Sequence, residues 1–389
     1  MSKHYQDKLS HLSSEEIETL MERYYDGEKN DILISEYNID IRNSLLVKTF
    51  PMKTHNEELC PFCNISMYSY RESKSMSSRN NPRIFCKECQ HEHNTYHCSC
   101  LHCKENRKIE EEIQKQEKEL LNNVKREIIL ANYLADRSIY IDIEEFDIKD
   151  KLYICALLRT SLSENLENIN LLSSVKTTLA PTKKYQISII SYLKNKSIII
   201  FSPTTAIDSV MIENEEIDSY YPMNTTFRLN INEENYDEII QRLLHLSDDE
   251  DIDDEIRIEL WNEIGLFECL EFLYARMEEY NLPIDAIGDK TISAIKESMK
   301  TFSISENFNF IWRAVQNAAA FLQKDRVSKK YAVNTIAGSV LRSSEKAKAE
   351  GWDIKGYGRD YNYQQSIISE VFFNNILKIG DNGFKHKIN

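Results

Sequence analysis

The chain has 389 residues, 41% of them hydrophobic and 29% charged, with a formal net charge of −15. This is the composition of a folded globular protein and not of a disordered, collagenous or bilayer-embedded one, and at roughly 100 to 200 residues per domain it predicts two to four domains. Only nine glycines and seven prolines are present. No G-x-x-x-x-G-K-[ST], G-x-G-x-x-G or G-x-S-x-G occurs, which excludes phosphate-cradling loops and the hydrolase elbow. No apolar run reaches the ~18 to 20 residues of a membrane span, and MSKHYQDKLSHLSSEE lacks a signal core, so a cytoplasmic protein with no membrane partner is expected.

Charge is segregated along the chain. Lys plus Arg minus Asp plus Glu gives −5 for residues 1–58, +4 for 59–108, −15 for 109–255, −5 for 256–312 and +6 for 313–389. Two basic islands flanking an acidic middle suit a protein that meets a polyanion at two places and uses the acidic part on a basic protein partner.

Residues 1–58 read as a small helical unit. SSEEIETLMERYYDG has Ser13 as N-cap and Glu16 three residues on, a capping box, with Ile17, Leu20 and Met21 on one face. DILISEYNI and IRNSLLVKTFP follow, with a turn at Asn38. Three short helices in this order resemble a helix-turn-helix unit, which implies DNA reading with Arg42 and Lys48 in the recognition helix.

Seven of the nine cysteines lie between residues 60 and 103, while Cys155 and Cys269 stand alone in apolar settings and read as core residues. Cys60-x2-Cys63 and Cys86-x2-Cys89 are two knuckles, each able to point two thiolates at one ion. A Zn(II) held by four cysteines has no open position, so the expected role is structural. With 22 residues between the pairs, the segment resembles a zinc ribbon. Next comes Cys98-x-Cys100-x2-Cys103 among His91, His93, His97 and His102. Three thiolates need a fourth ligand to close a second zinc site; His93 is the expected one because it is far enough from Cys98 to loop back, with His91 next in line. One Zn(II) is therefore expected and a second is compatible with the ligand count. The deaminase order H-x-E…P-C-x-x-C is absent.

The run between the knuckles has too few aliphatic residues to build a core, so metal binding must supply its folding energy. It carries Arg71, Lys74, Arg79 and Arg83 among tyrosines, serines and asparagines, the composition of a loop that contacts a phosphate backbone.

From Lys104 to Asp136 the chain lacks Gly and Pro, and Ile113, Leu120, Val124 and Ile128 recur at helical spacing. This predicts a long connecting helix over 109–148, a candidate homodimer face of fewer than three heptads. Within 149–247, two helices followed by the strands SIIIFSP and TTFRLNI resemble a winged helix, with a 204–224 insert that departs from a compact wing. DDEDIDDE at 248–255 reads as an acidic hinge, and it lacks the central glycine of a calcium loop. Residues 256–389 are helical by pattern, with Trp261, Phe267, Leu270, Leu273, Trp312, Ala318 and Phe321 as core. The tail after Gly351 brings Arg359 beside tyrosines, and with Lys329, Lys330 and Arg342 it forms a second candidate nucleic-acid contact.

The expectation is a mainly α, multidomain chain: N-terminal helical unit (1–58), zinc-ribbon module (59–108), connecting helix (109–148), winged-helix-like domain (149–247), hinge (248–255) and all-α C-terminal domain (256–389). Its expected function is a zinc-containing, non-catalytic nucleic-acid-binding protein, DNA before RNA, or an adaptor. A nuclease with an active site that the sequence does not reveal and a structural subunit of a larger assembly are the alternatives.

Overall fold

The computed structural model describes residues 5, 7–75, 82–95, 97–232, 234–246, 252–325, 327–359 and 363–387. The fold is mainly α, and the chain divides into two units, Met1–Leu121 and Asn122–Asn389. Among the described residues no helix is long and apolar enough to cross a membrane.

In the first unit, α1 (Ser14–Tyr25) starts at the expected capping box: the Ser13 hydroxyl accepts from the Glu16 N–H and the Glu16 carboxylate from the Ser13 N–H. α2 spans Asn30–Glu36. Arg23 ties the two helices together by donating to Glu28 and Glu36, both at 2.7 Å. The third segment is a 3-10 turn, Asn43–Leu45, leading into the single turn α3 (Leu46–Thr49) before Pro51. One helical turn is too short to lie along a major groove as a recognition helix does. Leu20, Tyr24, Leu33, Leu46 and Phe50 form the buried core of this part.

A three-stranded antiparallel sheet follows: β1 (Lys53–Leu59), β2 (Ser66–Ser69) and β3 (Ile84–Phe85) in that order, with Thr54 opposite Tyr68 and Tyr68 opposite Phe85. Among the described residues its buried cluster is Cys60, Met67 and Cys86, with half-buried Phe62, Cys63, Ile65, Ile84 and Cys89 around it. So small an apolar cluster cannot fix a fold alone. The sheet hands over to α4 (Leu101–Arg137), which begins earlier than the expected 109–148 helix and ends eleven residues before its expected end, the chain then making a 3-10 turn at Ile143–Glu145.

The second unit has one continuous hydrophobic core running from Ile129 to Phe384. Its centre is α5 (Ile148–Ser161), buried on nearly every side and capped by Asp147 and Asp150. A helix apolar all round belongs inside. Cys155 is buried there, as Cys269 is in a later helix. α6 (Lys183–Asn195) is capped by Thr182. β4 (Ile199–Phe201) pairs antiparallel with β7 (Phe227–Leu229), and the intervening insert forms its own hairpin, β5 (Val210–Glu213) and β6 (Glu216–Tyr220). Helix, helix and paired strands occur in the expected order. The β4–β7 pair, however, is core material, with Ile199, Ile200, Phe201, Phe227 and Leu229 all buried.

α7 (Tyr236–Leu244) precedes the acidic run, of which 248–251 lie outside the described residues. The rest of that run is the start of a helix: Asp253 caps α8 (Asp254–Glu279) and Asp254 and Glu255 occupy its first turn. Acids at this end complement the helix dipole. α9 (Asp289–Met299) and α10 (Ile304–Asp325) pack on α8, and α11 (Lys329–Glu350) packs on α9 and α10. Leu270, Leu273 and Ala318 are fully in the core, with Trp261, Phe267 and Trp312 at its margin. Beyond Gly351, a strap lies along α10. Tyr357 N–H donates to Ser305 C=O at 2.9 Å and Asn309 donates to Lys355 C=O at 2.8 Å. A methyl group at Gly356 would collide with Ser305, which is why glycine is needed there. α12 (Ile367–Glu370), a π-helical turn at Val371–Ile376 and α13 (Asn382–Lys385) close the unit.

Candidate metal centre

The two C-x2-C segments adopt the same backbone. Cys60 N–H donates to Ile65 C=O at 2.8 Å, and Cys86 N–H donates to His91 C=O at 2.8 Å, five residues on in both cases. Four residues after each leading cysteine the chain turns left-handed, at Asn64 (φ 53°) and Gln90 (φ 60°), and those N–H groups return to the Cys60 and Cys86 carbonyls at 2.9 and 3.0 Å. Each tight loop aims its two sulfurs to one side. The result is a group of four thiols, Cys60, Cys63, Cys86 and Cys89, with all sulfurs within 4.8 Å of one another and Cys60 Sγ 3.5 Å from Cys89 Sγ. A tetrahedron with metal–sulfur bonds of about 2.3 Å has edges of about 3.8 Å, so this donor set fits Zn(II).

A second group joins Cys98, Cys100 and Cys103 to His91, again within 4.8 Å. His91 Nδ1 lies 3.5, 3.8 and 3.2 Å from the three sulfurs in that order. The histidine gathered here is His91, and His93, expected from spacing, is not in the group. The physical reason is local: Glu92 N–H donates to Cys98 Sγ at 3.2 Å, which brings that sulfur beside His91, while the His93 N–H is held by Ile84 C=O at 2.9 Å. Cys100 also accepts from Cys103 N–H at 3.4 Å, and Arg107 donates to Cys98 C=O at 2.7 Å, bracing the start of α4. Such outer contacts orient ligands and tune a metal.

The electrostatics of the free ligands agree with metal binding. Burial, with His93 and His102 nearby, lowers the His91 imidazolium despite the opposing Glu92 charge, favouring the neutral ring that ligates. Burial opposes thiolate formation at Cys60 and Cys98, yet neighbouring N–H and thiol donors lower both on balance. At Cys103 burial and the adjacent thiols push the group up to about 12, and Cys89 is raised too, burial being the largest cause. Thiolates crowded together repel one another and so hold on to protons, and a divalent cation that replaces those protons relieves the repulsion. Each ligand set offers four protein donors, the number that fills a tetrahedral Zn(II) shell.

The two groups are contiguous in the chain. Cys89 and His91 are separated by one residue, and Phe62, inside the first knuckle, stacks on His102 at 4.8 Å. Asn64 and Gln90 make their left-handed turns without the glycine that usually marks such positions, and Phe62 carries no metal-ligating group, so none of the three stands out in the sequence.

The residues expected to contact phosphate are dispersed. Arg71 donates to Pro51 C=O at 2.9 Å. Lys74 donates to Glu28 C=O and stands 4.6 Å over the Tyr24 ring. Arg83 pairs with Glu92. Arg79 lies outside the described residues. Arg359 reaches into the second unit's interior, donating to both oxygens of buried Glu268 at 2.9 and 3.0 Å and covering the Phe384 ring at 4.2 Å. Lys329, Lys330 and Arg342 are exposed on α11. No protein-family model, curated protein or solved structure matches this chain.

Proposed function

We propose that this protein is a non-catalytic binding protein whose first unit is stapled by two Zn(II) ions and whose α11 offers cations to nucleic acid, DNA in the first instance. The observation that carries the reading is the closure of both ligand sets. Four thiols, and three thiols with His91, leave no coordination position for water or substrate. Zinc here supplies folding energy to a segment whose buried apolar cluster, among the described residues, is Cys60, Met67 and Cys86.

The polyanion contact rests on charge and exposure. Residues 313–389 carry a net +6, and Lys329, Lys330 and Arg342 are exposed, whereas Arg71, Lys74, Arg83 and Arg359 are engaged within the fold. Binding of labelled duplex and single-stranded DNA, followed by anisotropy at two salt concentrations, tests the reading. It expects affinity to fall steeply with salt, and the Lys329→Ala/Lys330→Ala/Arg342→Ala variant to bind more weakly with a shallower salt slope. No binding to either DNA at low salt, or a triple variant that binds like the parent, would overturn the nucleic-acid part and leave the zinc part standing.

A further inference from the structure

Every residue of α4 from 108 to 121 is exposed, about four turns of helix. Helices gain most of their stability from a packed apolar face, so a long exposed stretch with such a face invites a partner. Ile109, Ile113 and Leu120 provide one. They are 55, 49 and 66% exposed, and at about 100° per residue they fall in a stripe about 40° wide. Their spacing of four and then seven residues is compatible with helices packed side by side.

The charges around the stripe are sorted. Glu110 and Glu117 border one side and Glu112 and Glu119 the other, all exposed. Arg107, Lys108, Lys115 and Lys118 fall toward the opposite face together with Glu111, and Lys115 Nζ stands 4.0 Å from the Glu119 carboxylate. An acidic border repels nucleic acid, so this surface is separate from the polyanion contact proposed above. It also disfavours a second copy of the same helix: self-pairing over this stretch, in either direction, sets glutamate against glutamate.

We propose that this face of α4 docks an amphipathic helix of a partner protein whose apolar stripe is bordered by lysine and arginine. The apolar residues provide the contact and the four glutamates select its charge.

The test uses the zinc-loaded full chain and three fluorescent three-heptad peptides. One has Leu at the core positions and Lys at the flanking positions, the second replaces Lys by Glu, and the third has the basic composition in scrambled order. The basic amphipathic peptide is expected to bind at least ~10-fold more tightly than the other two, and Ile113→Ser/Leu120→Ser to remove about that factor. Glu110→Lys/Glu112→Lys/Glu117→Lys/Glu119→Lys is expected to reverse the preference toward the acidic peptide. All these positions are exposed, and circular dichroism confirms folding of each variant. Equal binding of the scrambled peptide, equal binding of the acidic one, or no binding of the basic one overturns the proposal. So does a dimer of the chain alone that Ile113→Ser/Leu120→Ser dissociates, because a second copy would then occupy the face.

Discussion

Phe62, within the first cysteine knuckle, meets the ring of His91, the nitrogen donor of the second cluster, edge to face at 5.1 Å with 86° between the planes. The first metal group thus presents an aromatic wall to a ligand of the second, and the Cys86 N–H bond to His91 C=O at 2.8 Å adds a backbone link. Ordering of one cluster therefore helps to order the other. Phe62→Ala is expected to leave all eight ligands in place yet weaken zinc at the second site by about 10-fold, the usual scale of an outer-contact loss. Competition with a colorimetric chelator reads this directly, since one ion should be released earlier than the other. Simultaneous release, unchanged from the parent, would speak against the coupling.

Loss of a sulfur ligand has a local consequence. Cys60→Ser or Cys86→Ser is expected to unfold the sheet around the knuckles and leave the helices of the second unit folded, since that unit has its own core. Limited proteolysis should cut within 59–108 while a fragment from the second unit persists. Circular dichroism should lose little, because the affected segment contributes short strands. Retention of protease resistance by Cys60→Ser would contradict a structural role for the metal.

A carboxyl in the second unit predicts a pH dependence. Glu271 lies one turn from Glu268 on α8; burial first, then the Glu268 charge, raise it to about 8, with Arg359 pulling the other way. In the unfolded chain its pKa is near the usual 4.5. Between these values the folded state binds the extra proton, so this group's stabilising contribution is complete below about 4.5 and is lost as pH rises through about 8. Glu271→Gln mimics the neutral form. It should flatten the decline of denaturant midpoint between pH 5 and pH 8.5, by roughly 1–3 kcal/mol at the upper end. Parallel pH profiles for parent and variant would refute the assignment.

Gly356→Ala tests the strap over α10. Because the added methyl would strike Ser305, the variant should be destabilised by about 1–3 kcal/mol, measured as a shift in denaturant midpoint without change in slope. An unchanged midpoint would mean the strap is free to move away.

Local signals carried much of the fold. The Ser13–Glu16 capping box, the unbroken helix through the Gly- and Pro-free stretch Lys104–Asp136 and the paired C-x2-C knuckles follow from interactions within a few residues and are present, although the helix stops at Arg137 and not at 148. What could not be read depends on long-range partners. Spacing allowed either His91 or His93 to close the second cluster, and the choice is made by Glu92 N–H reaching Cys98. Arg359 sits in a tail with glycines and tyrosines that reads as a nucleic-acid contact, yet its partner Glu268 is 91 residues away on a buried helix face. Asp253 to Glu255 read as solvated hinge because an acidic run and an acidic helix start look alike without the helix that follows. The segment at 42–50 has helix-forming composition but ends against Phe50 and Pro51 after one turn.

The most direct measurement is zinc per chain, by elemental analysis of protein purified without added metal, for the parent, His91→Ala and His93→Ala. Two closed clusters with His91 as the nitrogen ligand predict two ions in the parent, one in His91→Ala and two in His93→Ala. A metal-free parent, or a His91→Ala variant that keeps both ions while His93→Ala loses one, would contradict the account.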